Sequence, residues 1–199
     1  MRIGLIRHGL TDWNLLGRIQ GQSDIPLNEE GRQQARLLGS RLLEEPYKWD
    51  YIITSGLSRA QETGEIISGI LNTPMLPPDE RLKERAFGQA EGLTALEREE
   101  KWGMDWNLQD LGQEKEPAMQ ARILSFMNDL AEKYPDHQIL VISHGALLAQ
   151  LYRALYEDQY SERIGNLSLT ILEKAESEWN PLLYNCTKHL LAADSVNKK

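Results

Sequence analysis

Cysteine is nearly missing from this 199-residue chain: Cys186 stands alone, so no intramolecular disulfide can hold the fold. That usage fits a reducing compartment. Positive charge is scarce as well, since 22 Lys and Arg against 30 Asp and Glu leave a formal net charge of −8. Such a chain has no general attraction to nucleic acid or to an anionic membrane, so neither is expected as a partner. An anionic substrate would need a local cluster of cations set into an acidic surface. Long apolar runs are absent, none reaching the roughly 18 residues that span a bilayer. The first eight residues are interrupted by charge too soon for a signal peptide. A soluble cytoplasmic protein is therefore expected. The four histidines and one cysteine show no zinc-type spacing, so no metal site is predicted. Nucleoside-triphosphate hydrolysis has no support, because no Gly-rich Walker loop occurs. Internal repeats and low-complexity stretches are lacking too.

What remains is enough for a core: apolar residues make up 41% of the chain, which suits one domain over residues 1–199. Three short apolar runs read as central strands buried on both faces, at residues 3–6, 51–54 and 138–143. Each is followed by a polar or glycine-containing turn. Helical periodicity fills the intervals, over 27–44, 57–71, 117–134 and 145–156. In the first of these, Ala35, Leu38, Leu42 and Leu43 are assigned to one face, with Asn28 as N-cap and Glu29 and Glu30 in the first turn. Pro117 opens the third helix and Pro135 follows its end. Residues 166–174 read as a further strand, and the last five or so as a frayed tail. Strands alternating with helices predict a three-layer α/β/α sandwich with a mostly parallel sheet. Ligands in such sheets bind beyond the carboxyl ends of the strands. His8 and His144 each follow a central strand, so parallel neighbours would bring them to one edge.

Arg7-His8-Gly9 is the tripeptide on which the chemistry turns. A neutral imidazole can take a phosphoryl group when its other nitrogen is fixed by a hydrogen bond. Arginine offers a planar fork matched to two phosphate oxygens. Gly9 would let a tetrahedral anion approach the backbone. An alkoxide leaving group needs a nearby acid, and Glu80, Glu84 and Glu91 all qualify by residue type.

The tripeptide extends to Thr11, Asp12, Trp13 and Asn14, then to Gln20-Gly21, Asp24 to Asn28, Gly31 and Gln34-Ala35. Ser55 to Thr63 follows with Arg59, then Glu84-Arg85-Ala86-Phe87-Gly88, Glu91-Gly92 and Ser143-His144-Gly145. In this order, from Arg2 to about Asn166, these motifs resemble the histidine phosphatase superfamily, in the branch that also holds cofactor-dependent phosphoglycerate mutases. The resemblance implies that His8 becomes a phosphohistidine and that Arg7, Arg59 and His144 bind the phosphoryl oxygens. It implies that Glu84 protonates the leaving alkoxide and then activates water. Asn14 and Gln20 match positions that touch phosphate or substrate, and Thr11, Gly21 and Gly145 are counted with them. The bland counterparts are Arg7 as a strand-end ion pair, Arg59 paired with Glu62 and His144 as a helix cap. Asn14 and Gln20 would then only brace their loop. His137 and His189 match no motif and read as surface or packing residues.

Residues 89–116 form a lid-like insertion, with eight acids against three bases. A net of −5 opposes a doubly phosphorylated intermediate, which favours a phosphatase of small phosphomonoesters, with no cofactor, over a mutase. A protein phosphatase of the same superfamily would meet the same acidic roof, which opposes acidic phosphopeptides. A non-enzymatic binding module would be expected to lack a catalytic residue, and here all five positions are filled. Trp102, Met104 and Trp106 in this insertion are expected to wall the leaving group. Where relatives carry Gly-Glu-Ser, this chain has Gly112-Gln113-Glu114-Lys115, and Arg122 stands eight residues beyond Glu114. That departure leaves the role of Glu114 open.

Overall fold

The computed structural model describes residues 1–176 and 178–194, with side chains in the last helix through Leu191. The tail expected to fray, from residue 195, lies outside the described residues. The chain runs β1 (Arg2–Arg7), α1 (Asp12–Leu15), α2 (Glu29–Glu44), β2 (Tyr51–Thr54), α3 (Ser58–Leu71) and α4 (Ala95–Trp102). It continues through α5 (Glu116–Lys133), β3 (Gln138–Ser143), α6 (Gly145–Tyr156), β4 (Leu169–Ala175), β5 (Glu178–Cys186) and α7 (Lys188–Asp194).

The five strands make one sheet in the order β2-β3-β1-β4-β5. β2, β3 and β1 are parallel, while β4 and β5 join as an antiparallel pair, so the sheet is mixed. Side-chain alternation sends Ile3, Leu5, Ile139 and Val141 to one face, against Phe126 and Met127 of α5 and Leu148 and Leu151 of α6. Ile6, Leu140 and Ile142 face the other way, against Ala35, Leu38 and Leu42 of α2 and Ile67 of α3. This is the expected sandwich, with helices on both faces.

Local chemistry explains the helix ends. Asn28 caps α2 by accepting from the Gly31 amide at 2.9 Å, and Asn72 ends α3 in a left-handed conformation. Leu43, expected on the buried face of α2, is 59% exposed. The buried stripe instead runs Gly31, Ala35, Leu38, Gly39 and Leu42. β5 was not predicted from sequence, because Pro181 and the polar residues around it break the strand pattern. It stands at the sheet edge, where a missing amide proton costs no ladder bond.

The register places the site. Arg7 pairs with Ser143 and Thr54 with Ile142, so β1, β3 and β2 end together. The residues that follow, His8, His144 and Ser55, come out side by side along the carboxyl edge.

Candidate active site

His8 is 2% exposed, and its amide donates to Ser143 O at 3.0 Å, extending the strand pairing by one residue. Nδ1 lies 2.7 Å from Gly9 O. A carbonyl can only accept, so Nδ1 carries the proton and Nε2 keeps its lone pair. Burial, with repulsion from Arg59 and Arg7, holds the imidazole well below its usual 6.5. It is therefore neutral at neutral pH. Gly9 has a different purpose from the one expected: a Cβ there would meet Gly31 O at 2.7 Å and Leu167 at 2.9 Å, so the missing side chain admits α2, not an anion.

Around His8 stand donors with nothing to bind. Arg7 Nη1 donates to Ile164 O at 2.7 Å, while its Nε is buried without a partner among the described residues. Arg59 is fully buried and gives Nη1 to Ser23 O and Nη2 to Gly21 O, at 2.8 and 2.6 Å, again leaving Nε unpaired. The pairing of Arg59 with Glu62 does not form, because Glu62 is engaged by Arg32 at 2.6 Å. Burial lowers both guanidinium groups, Arg7 to about 10, and both remain charged at neutral pH. His144 is fully buried with its ring 5.1 Å from that of His8, and its Nε2 meets Ser55 Oγ at 2.7 Å. That hydroxyl accepts from the Leu57 amide, so its own proton faces Nε2 and His144 bears its hydrogen on Nδ1. This Nδ1 is also buried and unpartnered. Burial, Arg59, His8 and Arg7 hold His144 well below 6.5 as well. Each such orphan costs about 1–3 kcal/mol while unmatched, so the set is built for a multivalent acceptor.

Of the three candidate acids, only Glu84 lines the cavity with His8. Glu80 pairs with Lys83. Glu91 accepts from the amides of Gln22, Ser23 and Phe87 and from Ser23 Oγ, and so builds the rim. The Glu84 carboxylate accepts from Ala146 and Leu147 amides, both at 3.1 Å, at the N-terminus of α6, where negative charge is favoured. Glu114 now has a role. It forms a two-pronged pair with Arg122 at 2.7 and 2.9 Å, and Arg122 also donates to the carbonyls of Arg81, Lys83 and Glu84. The pair holds the segment that presents Glu84.

Asn14 and Gln20 line the same cavity. The Asn14 amide oxygen accepts from Thr11 and Asn166, and that of Gln20 from Thr11 Oγ1. Their NH₂ groups make no hydrogen bond among the described residues. Thr11 is fully buried and does not line the cavity; it aims the other two. Gly21 has φ +53° and receives Arg59 on its carbonyl, and a Cβ there would strike the Glu91 carboxylate. Gly145 lies against Arg7.

The cavity measures about 160 Å³, with Ile19, Phe87 and Ala146 as its apolar part. The wall expected from Trp102, Met104 and Trp106 is not there. Lys101 covers Trp102, Arg98 stacks on Trp106, and Met104 is 83% exposed. α4 turns these residues away from His8, since Arg18 ties its first turn to the loop through Glu97 and the Gly92 carbonyl. His137 packs between Tyr51 and Tyr134, and His189 is buried beside Arg41, as packing residues.

Sequence reasoning gave no role to Ser55 or Asn166. Ser55 could have been found by the same strand-end logic that found His8 and His144. Asn166, which donates to His8 O and Gly9 O, had no such signal, because it arrives from a loop 158 positions away.

A buried neutral histidine, ringed by arginines, with a carboxylate across the cavity, defines a phosphoryl-transfer site on a phosphoglycerate mutase-like sandwich. The model of the histidine phosphatase superfamily (branch 1) matches residues 3–187, and the chain belongs to that superfamily. It is 35% identical over 191 residues to the uncharacterized phosphatase PhoE of Bacillus subtilis, covering 94% of this chain and 95% of the relative. A 2,3-bisphosphoglycerate-dependent phosphoglycerate mutase of a Methylobacterium species is 33% identical over 163 residues, 76% of this chain and 78% of the relative. Among solved structures, a mycobacterial glucosyl-3-phosphoglycerate phosphatase complexed with VO3 superposes with a TM-score of 0.82 at 26% identity, covering 93% of this chain and 99% of the other.

Proposed function

We propose that this protein is a phosphatase that hydrolyses small phosphomonoesters through a phosphohistidine on His8. The observation that carries the reading is the neutral, buried His8, its Nε2 free and its Nδ1 fixed, beside three unmatched donors on Arg7, Arg59 and His144. A phosphoryl group seated among them would place its phosphorus before Nε2 and spread its charge over fixed cations. Nε2 attacks phosphorus, the P–O ester bond breaks, and Glu84, as the acid, gives its proton to the departing alkoxide. Glu84, now a carboxylate, takes a proton from water as the oxygen attacks phosphohistidine, which frees His8 and inorganic phosphate. The chain supplies its own cations for this step.

Hydrolysis is favoured over phosphoryl return to a second alcohol by the charge around the cavity. Arg18 is the further arginine lining it, and Arg18 is already paired with Glu97. A second phosphate would meet the acidic segment 89–116, which we propose acts as a lid. A cytoplasmic setting fits the free Cys186, and no helix among the described residues is long and apolar enough to cross a membrane.

The test is phosphate release from a panel of phosphomonoesters in EDTA, with His8→Ala beside the wild type. The wild type is expected to release phosphate, and the variant to lose at least about three orders of magnitude. Equal release by both would overturn the role of His8, and phosphoglycerate interconversion without release would replace the phosphatase by a mutase.

A further inference from the structure

A second cavity, of about 320 Å³, opens on the far side of Glu84. It shares Arg7, Glu84 and Ala146 with the cavity that holds His8, and its remaining wall includes Ser161, Glu162 and Arg163. A proton donor has to sit at the bridging oxygen, between the phosphoryl group and the alcohol it leaves with. With the phosphoryl group among His8, Arg7 and Arg59, the space beyond Glu84 is where that alcohol has room.

Three features make this wall a built one. Arg7 donates to Ile164 O, Asn185 Nδ2 donates to Arg163 O at 3.0 Å, and the Gly165 amide donates to Asn185 Oδ1 at 3.0 Å. The backbone on both sides of Arg163 is thus pinned, on one side by a phosphoryl-binding arginine. The Arg163 guanidinium forms no ion pair or side-chain hydrogen bond among the described residues, whereas Arg18 at the other rim is paired with Glu97. Arg163 is also close enough to Arg7 to repel it. A free planar cation on a fixed backbone recognises a carboxylate.

We infer that Arg163 is a specificity-determining residue that binds a carboxylate on the leaving alcohol, so that the preferred substrates are phosphate esters of hydroxy acids. This rests on the phosphatase reading and deepens it.

The experiment compares kcat/KM for two esters that differ at one carbon, 3-phosphoglycerate and glycerol 3-phosphate, in the wild type, Arg163→Ala and Arg163→Lys. An exposed ion pair contributes up to about 1 kcal/mol, which is about fivefold. Arg163→Ala is expected to raise KM for 3-phosphoglycerate about fivefold with kcat held, and to leave glycerol 3-phosphate within about twofold. Arg163→Lys should recover part of the loss. If both esters suffer equally in Arg163→Ala, or neither changes, the inference is overturned while the phosphatase stands. If the wild type releases phosphate from neither ester nor from any other in the panel, the phosphatase reading fails and takes the inference with it.

Discussion

At the scale of the residue, the site depends on which atom of each side chain is left unmatched. Arg7 and Arg59 spend their terminal nitrogens on backbone carbonyls and keep Nε, and His144 spends Nε2 on Ser55 and keeps Nδ1. Such partial satisfaction fixes the direction of every donor before a ligand arrives, which lowers the reorganisation needed at the moment of reaction. Glu84 differs, because both its oxygens are occupied by amides of Arg85, Ala146 and Leu147. Its charge is held at a helix terminus next to the place where a proton is needed. Glu84→Gln keeps the shape and removes the proton. We expect kcat for an alkyl phosphate to fall about a hundredfold or more, and that for a nitrophenyl phosphate to fall much less, because that leaving group needs no proton. Steady-state kinetics on the two esters checks this, and equal losses would show that Glu84 does not serve as the acid. The residue types were legible in the sequence, and the motif named Glu84 among three acids. Which acid faces His8 depends on Glu80 and Glu91 being engaged elsewhere, and no local pattern encodes that.

At the scale of the element, close approach decides whether the site closes. α2 begins against the loop after β1, and a Cβ on Gly31 would lie 2.1 Å from Leu10 O and 2.7 Å from its amide nitrogen. Backbone on both sides cannot yield as a side chain could. Gly31→Ala should therefore cost about 2 kcal/mol or more in urea unfolding. Gly69 in α3 has open space around its Cβ, so Gly69→Ala is the matched control and should raise stability by up to about 1 kcal/mol. A Gly31→Ala variant as stable as the wild type would show that the contact relaxes freely. Helices α2, α3, α5 and α6 were legible to within two residues at each end, because caps and apolar stripes are local signals. β5 was not, since its pairing with β4 comes from tertiary contact and its sequence carries Pro181. The orientation of α4 was also hidden. Its tryptophans suggested a wall, yet the Arg18–Glu97 anchor turns them elsewhere.

At the scale of the whole molecule, three buried histidines link the fold to pH. His8 and His144 lie well below 6.5, and burial with Arg41 pulls His189 down to about 4. Below about pH 6.5 the unfolded chain takes up protons that the folded chain refuses, so stability present above that pH is lost as the pH falls. The slope is up to about 1.4 kcal/mol per pH unit for each histidine. Denaturant midpoints between pH 7.5 and 5 are expected to decline, and a flat profile would contradict the neutral state assigned to these rings. The sequence by itself determined the strand-and-helix alternation, the layer in which each apolar stripe is buried, and the residue types that face a phosphoryl group. Those follow from periodicity, capping and side-chain chemistry, all readable over a few positions. Only the tertiary structure decided that β2, β3 and β1 end in register, that Ser55 sets the tautomer of His144, and that Arg122 with Glu114 presents Glu84. It also decided that Arg163 comes to lie beside Arg7, since partners 156 positions apart in the chain meet only when the sheet has closed.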